Sequence, residues 1–176
     1  MPILPVHLGP GLLLKAGWRS MSLLAFGLSQ VLLGLEPMYY MARKEWPLYR
    51  GMHTVYGAVA AGLLAALLVR RFGPPLLHWL DLHVRSRFEA LPDGVTLARQ
   101  EEVSWSSALA GGLSGGLLHL LIDAMIHEDI ALLGGPGPSA VYGWASAAVI
   151  YPLCILAGVV GVALLFMQWW RLGGDR

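Results

Sequence analysis

Charge is what this sequence has least of. Asp, Glu, Lys and Arg supply 13% of its 176 residues, against 56% that are hydrophobic, where an ordinary soluble domain carries roughly 25% charged residues. A mean hydropathy of +0.61 points the same way, and together they exclude a soluble globular domain as the starting assumption. Charge of one sign is lacking too. Twelve basic residues stand against eleven acidic ones for a net +1, so no basic surface is available for a polyanion and nucleic acid is not expected as a partner. Cysteine is nearly absent: the single Cys154 excludes both a disulfide framework and a cysteine metal knuckle. The first ten residues lack a basic n-region and carry three prolines, so a cleavable signal peptide is not expected. Internal repeats and low-complexity stretches are missing as well.

What is present is apolar residues in long blocks. A helix needs about 20 such residues to cross a hydrocarbon core roughly 30 Å thick. Residues 20–38 (SMSLLAFGLSQVLLGLEPM) form a first span, closed by Pro37 and the interfacial Tyr39 and Tyr40. Residues 52–69 form a second, ending at Arg70 and Arg71. A break is expected at Gly73-Pro74-Pro75, followed over 74–90 by an interfacial amphipathic helix with Leu76, Leu77, Leu80, Val84 and Phe88 at helical spacing. Residues 106–133 are the third span and 144–168 the fourth, anchored by Trp169, Trp170 and Arg171. Residues 1–19 are apolar enough to dip into the bilayer as a short re-entrant piece. The predicted fold is therefore one all-α domain over 1–176: a polytopic membrane helix bundle of about four transmembrane helices. In that topology nine Lys and Arg fall on one side and three (Arg43, Lys44, Arg50) on the other, which places both termini in the cytoplasm.

The third span holds the sharpest anomalies. Gly111, Gly112, Gly115 and Gly116 make two overlapping small-xxx-small pairs that let a neighbouring helix come close. His119, Asp123 and His127 follow at i, i+4 and i+8, fanning over roughly 80° of one helix face at about 100° per residue. An ionisable side chain at bilayer depth costs at least about 2.5–3.5 kcal/mol, so it normally faces the bundle interior with a partner. Glu36 closes the first span and His53 opens the second, which puts both at one membrane face. The third span runs back toward that face with Asp123 and His127. Imidazole and carboxylate are ligands for zinc and other divalent ions, and such an ion supports hydrolysis by activating a water molecule.

Spacing alone leaves other readings open. His119 and Asp123 can satisfy one another structurally, or relay protons or cations. His127 and Asp129 stand where the helix meets a Gly/Pro loop and are equally read as solvated end residues. Glu36 before Pro37 is equally an interfacial residue, while His78 and His83 read as surface residues and His7 as a terminal histidine.

Four stretches, in order, resemble a known family. PILPVHLGPGLLL is similar to its N-terminal Pro-x-x-Pro-x-His-x-Gly-Pro, SQVLLGLEPMYY to its acidic motif, YRGMHTVYGA to its His-Thr-x-x-Gly-Ala, and GGLLHLLIDAMIHEDI to its His-x-x-x-Asp helix with a downstream acid. The family is that of bacterial and archaeal membrane-bound, metal-dependent hydrolases described as LexA-binding and inner-membrane-associated. It is in turn similar to zinc-dependent phospholipase C and single-strand nucleases. The resemblance implies metal ligation by His7, Glu36, His53, His119 and Asp123, with His127 and Asp129 as further ligands or supporting groups, and Glu36 and Asp123 as the catalytic carboxylates. Two positions depart from the family pattern, Gly34 where an Asp is common and Tyr49 where a His is common. The expectation is a hydrolase of the prokaryotic inner membrane, taking a divalent metal, zinc foremost, and acting on a phosphoester borne by a lipid or reachable from the bilayer. A small transporter or ion conductor, or a non-catalytic membrane scaffold, is the alternative.

Overall fold

The computed structural model describes residues 4–87, 103–135 and 137–173, all of whose regular structure is helical. Among the described residues there are five helices: α1 (Leu4–Gly17), α2 (Leu23–Ala42), α3 (Val55–Arg87), α4 (Trp105–Ile126) and α5 (Ala147–Gly173). The protein is the all-α membrane bundle its composition predicts. Three helical segments are long and apolar enough to cross a bilayer, Val55–Trp79, Trp105–Ile126 and Ala147–Arg171. The expected first span, now α2, is not among them, because Gln30, Glu36 and its two tyrosines dilute its apolar run.

Local chemistry fixes several ends. Ser22 caps α2 by accepting the Ala25 amide at 3.2 Å, and Ser104 caps α4 through the Ser107 amide. Thr54 caps α3, its hydroxyl oxygen accepting from Gly57 N at 3.1 Å. The third span ends sooner than expected, at Ile126, and His127 caps it in an extended conformation. No break occurs at Gly73-Pro74-Pro75: α3 continues through both prolines to Arg87, and residues 88–90 of the expected interfacial helix lie outside the described residues. The amide hydrogens that Pro74 and Pro75 lack would have met the carbonyls of Arg70 and Arg71. Those carbonyls lie in mid-helix beside the two arginine side chains, and α3 continues past them.

The glycine pairs of α4 serve two neighbours. An added Cβ on Gly111 or Gly115 would run into the α2 backbone at Ser22 and Phe26, and one on Gly112 or Gly116 into the α3 backbone at Gly62 and Ala58. Helix α4 is thus wedged between α2, running parallel to it, and α3, running antiparallel. Helix α1 packs along α5 in the same direction, with Gly9 against Cys154, Gly161 against Leu12, and the Gln168 amide donating to the Ala16 carbonyl. At about 1.5 Å per residue, the 14 residues of α1 span about 21 Å, short of a membrane crossing. The first turn of α1 lies deep in the bundle and its last turn meets the C-terminal end of α5. Lys15, Arg19, Arg70, Arg71 and Arg171 share that C-terminal end of α5, with Arg19 bonded to Gln168. Arg43, Lys44 and Arg50 occupy the opposite end.

Because Gly112 meets the Gly62 carbonyl directly, Gly112→Ala is expected to cost at least about 1–3 kcal/mol, seen as a lower unfolding temperature in detergent. Gly51→Ala adds a methyl with nothing within 4 Å of it and should leave that temperature unchanged.

Candidate metal centre

Four buried side chains from two helices and one loop converge in the half of the bundle away from most of the basic residues. Asp123 and His119 lie one turn apart on α4, His53 stands in the loop just before α3, and His7 comes from the first turns of α1. All four are 0% exposed. The Asp123 carboxylate is at the middle: its Oδ1 lies 3.2 Å from His7 Nε2, and its Oδ2 lies 3.3 Å from His119 Nε2 and 3.7 Å from His53 Nε2.

These contacts are close, yet none is aligned as a hydrogen bond. Both Asp123 oxygens, both nitrogens of His7 and of His119, and Nε2 of His53 have no hydrogen-bond partner. Each such buried atom costs about 1–3 kcal/mol, so seven together rival the whole stability of a domain, about 5–15 kcal/mol. Atoms bound about 2.0–2.1 Å from a tetrahedral ion stand roughly 3.3 Å from each other; the His119–Asp123 separation equals this at 3.3 Å and the His53–Asp123 separation exceeds it at 3.7 Å. One ligand atom from each of His53, His119 and Asp123 falls within 4.8 Å of the others, and this cluster could hold a metal ion. The donor set fits such an ion, since imidazole and carboxylate suit a borderline divalent cation. His7 faces the remaining oxygen of Asp123.

Glu36 holds a different position from that of a direct ligand. Its oxygens accept from the amides of Arg50 (3.1 Å), Met52 (2.9 Å) and His53 (3.2 Å), and from His53 Nδ1 at 2.8 Å. With Nδ1 of His53 turned to Glu36, its Nε2 is turned to Asp123, the carboxylate–histidine arrangement common behind metal ligands. Asp129 is likewise occupied, accepting from Leu48 N at 3.1 Å and Tyr49 N at 3.4 Å. His127 Nε2 bonds the Tyr49 hydroxyl at 3.0 Å. Neither belongs to the three-residue cluster. His78 and His83 lie far along α3, with His83 Nδ1 at 3.2 Å from the Trp79 carbonyl.

Three contributors escaped the motif reading. Tyr49 is buried with its ring edge 4.6 Å from His53 and its face against His127 at 4.5 Å, and burial pushes its phenol up, so it stays neutral. Tyr151 of α5 stands edge-on to His7 at 6.4 Å. Gln30 is fully buried, its Nε2 donating to the His7 carbonyl at 3.1 Å while Oε1 has no partner. A glutamine in an apolar run is itself a signal, because amides at bilayer depth need partners. No protein-family model, curated protein or solved structure matches the chain.

Glu36→Ala strips the acceptor from three backbone amides and one imidazole. It is expected to cost several times the about 1–3 kcal/mol of a single orphaned donor, and chemical-denaturation midpoints of the two proteins would measure it.

Proposed function

We propose that this protein is a membrane-embedded, metal-dependent hydrolase whose cluster binds one or more divalent ions, zinc foremost, and cleaves a phosphoester. What carries the reading is the set of seven buried, unpartnered nitrogen and oxygen atoms around Asp123, a donor group that neither the helices nor one another satisfy. Bound there, a divalent ion supplies Lewis acidity and an activated water.

The chain's own residues have distinct parts in this scheme. His53, His119 and Asp123 form the ion's cradle, and His7 closes it from α1. Glu36 is a positioning residue: it holds the His53 ring through Nδ1 and the backbone amide beside it. Tyr49 and His127 cover the cluster on the loop side, limiting water there. Exclusion of bulk water strengthens every electrostatic interaction inside the site. The apolar surroundings and the depth of Asp123 support a substrate presented from the bilayer, such as a lipid phosphoester. The host membrane on this reading is a prokaryotic inner membrane, with the basic end facing the cytoplasm.

Asp123→Asn keeps the shape of the side chain and removes its charge. Elemental analysis of detergent-purified protein should find stoichiometric metal in the wild type and less than about a tenth of it in the variant, with phosphodiesterase activity lost and both proteins eluting as folded species. Undiminished metal in Asp123→Asn would sink the assignment, and ion flux in proteoliposomes from metal-free wild type would favour a conduction role instead.

A further inference from the structure

The four cluster residues are sealed from the aqueous end of the bundle. The loop over 48–53 is tied down on two sides, by Glu36 through the amides of Arg50, Met52 and His53 and by Asp129 through those of Leu48 and Tyr49. The Val55 amide adds a bond to the Leu132 carbonyl at 2.8 Å. The flank along α1 is built differently. Helix α1 lies along α5, but its contact with α2 is slighter, and a groove of ≈ 510 Å³ opens between them, lined by Leu8, Leu12, Leu24, Gly27, Leu28 and Val31 among others. That lining is apolar, and Leu24 and Val31 remain 38% exposed on the outer surface of the bundle. The groove therefore faces bilayer hydrocarbon.

Two residues of its lining adjoin buried polar residues along their helices. Leu8 follows His7 and Val31 follows Gln30, the two buried residues joined across the seam by the amide-to-carbonyl bond at 3.1 Å. Gln30 Oε1 is left there as an acceptor with no partner. A molecule that satisfies both regions has a hydrocarbon tail and a polar head. Gly27 forms part of the groove floor: a Cβ placed on it would meet only Leu8 Cδ2, at 3.4 Å.

We propose that the α1–α2 seam is a lateral lipid entrance, in which one acyl chain of a membrane lipid occupies the groove and presents its headgroup to the cluster past His7 and Gln30. The proposal rests on the hydrolase reading for what then happens to the headgroup, but not for the presence of the chain in the groove. Hydrocarbon transferred from lipid to such a groove gains little from the hydrophobic effect, so specificity comes from packing and from the polar end. Filling the groove is therefore the direct perturbation.

The full-length protein is placed in nanodiscs of phosphatidylethanolamine and phosphatidylglycerol doped with a phospholipid carrying a diazirine on its acyl chain, irradiated, and mapped by mass spectrometry. Labelling is expected at Leu8, Leu24, Leu28 and Val31 at least about tenfold above that at Val159 and Phe166 on the outer face of α5, and Gly27→Trp should lower the seam signal by about tenfold. Gly27→Ala should leave it intact. Equal labelling of the seam and the α5 face, or seam labelling unchanged by Gly27→Trp, overturns the proposal. Should Gly27→Trp fail to assemble, Val31→Trp at the groove mouth replaces it, with the wild-type map deciding in either case. Turnover of a long-chain and a water-soluble phosphodiester is measured in parallel. Absence of both activities in the wild type defeats the hydrolase reading alone, while the labelling pattern judges the seam.

Discussion

A carboxylate held inside an apolar bundle must be compensated, and the arrangement of this protein follows from how Asp123 is compensated. Its two oxygens draw three imidazoles from distant parts of the chain to within 3.2–3.7 Å, although no pair is aligned for hydrogen bonding. Direct His–Asp bonds would have been the economical solution had the residues only to satisfy each other. Their convergence without alignment is what a set of ligands looks like. The neighbouring carboxylates do the opposite: Glu36 accepts from three backbone amides and the His53 ring, Asp129 accepts from two amides through Oδ2, and both hold the loop that carries His53.

The helix packing serves the same centre. His119 and Asp123 can approach both His53 and His7 only if α4 lies hard against its neighbours, and the two glycine faces of α4 permit that by leaving no Cβ at the closest backbone approaches to α2 and α3. Below the cluster, Leu33, Ala58, Ala61, Leu120 and Ala124 form one buried apolar layer. Small residues there set the interhelical distance, and the distance sets the geometry of the polar atoms above it.

Much of this was legible in the sequence, for identifiable reasons. Helical membrane architecture follows from run length and scarcity of charge, and His53, His119 and Asp123 were conspicuous because ionisable groups are costly in an apolar run. Other features depend on information that spacing does not carry. The role of Glu36 is set by three amides in a loop of irregular backbone, and no periodicity predicts where such amides point. Proline chemistry suggested a break in α3, yet the cost of two missing amide hydrogens depends on whether water reaches the freed carbonyls. The glycine pairs announced one close neighbour, whereas their offset by a single residue, about 100° of helix rotation, directs the second pair to another helix. Gln30 and Tyr49 were readable as polar groups in apolar company, but their partners come from elsewhere in the chain.

The first helix leans on the last. His53, His119 and Asp123 all lie in segments that precede α5 in the chain, whereas His7 sits on α1, which packs along α5. The fourth wall of the cluster therefore depends on a helix that contributes none of the four side chains itself, and a change on the α1-facing side of α5 would be felt at His7.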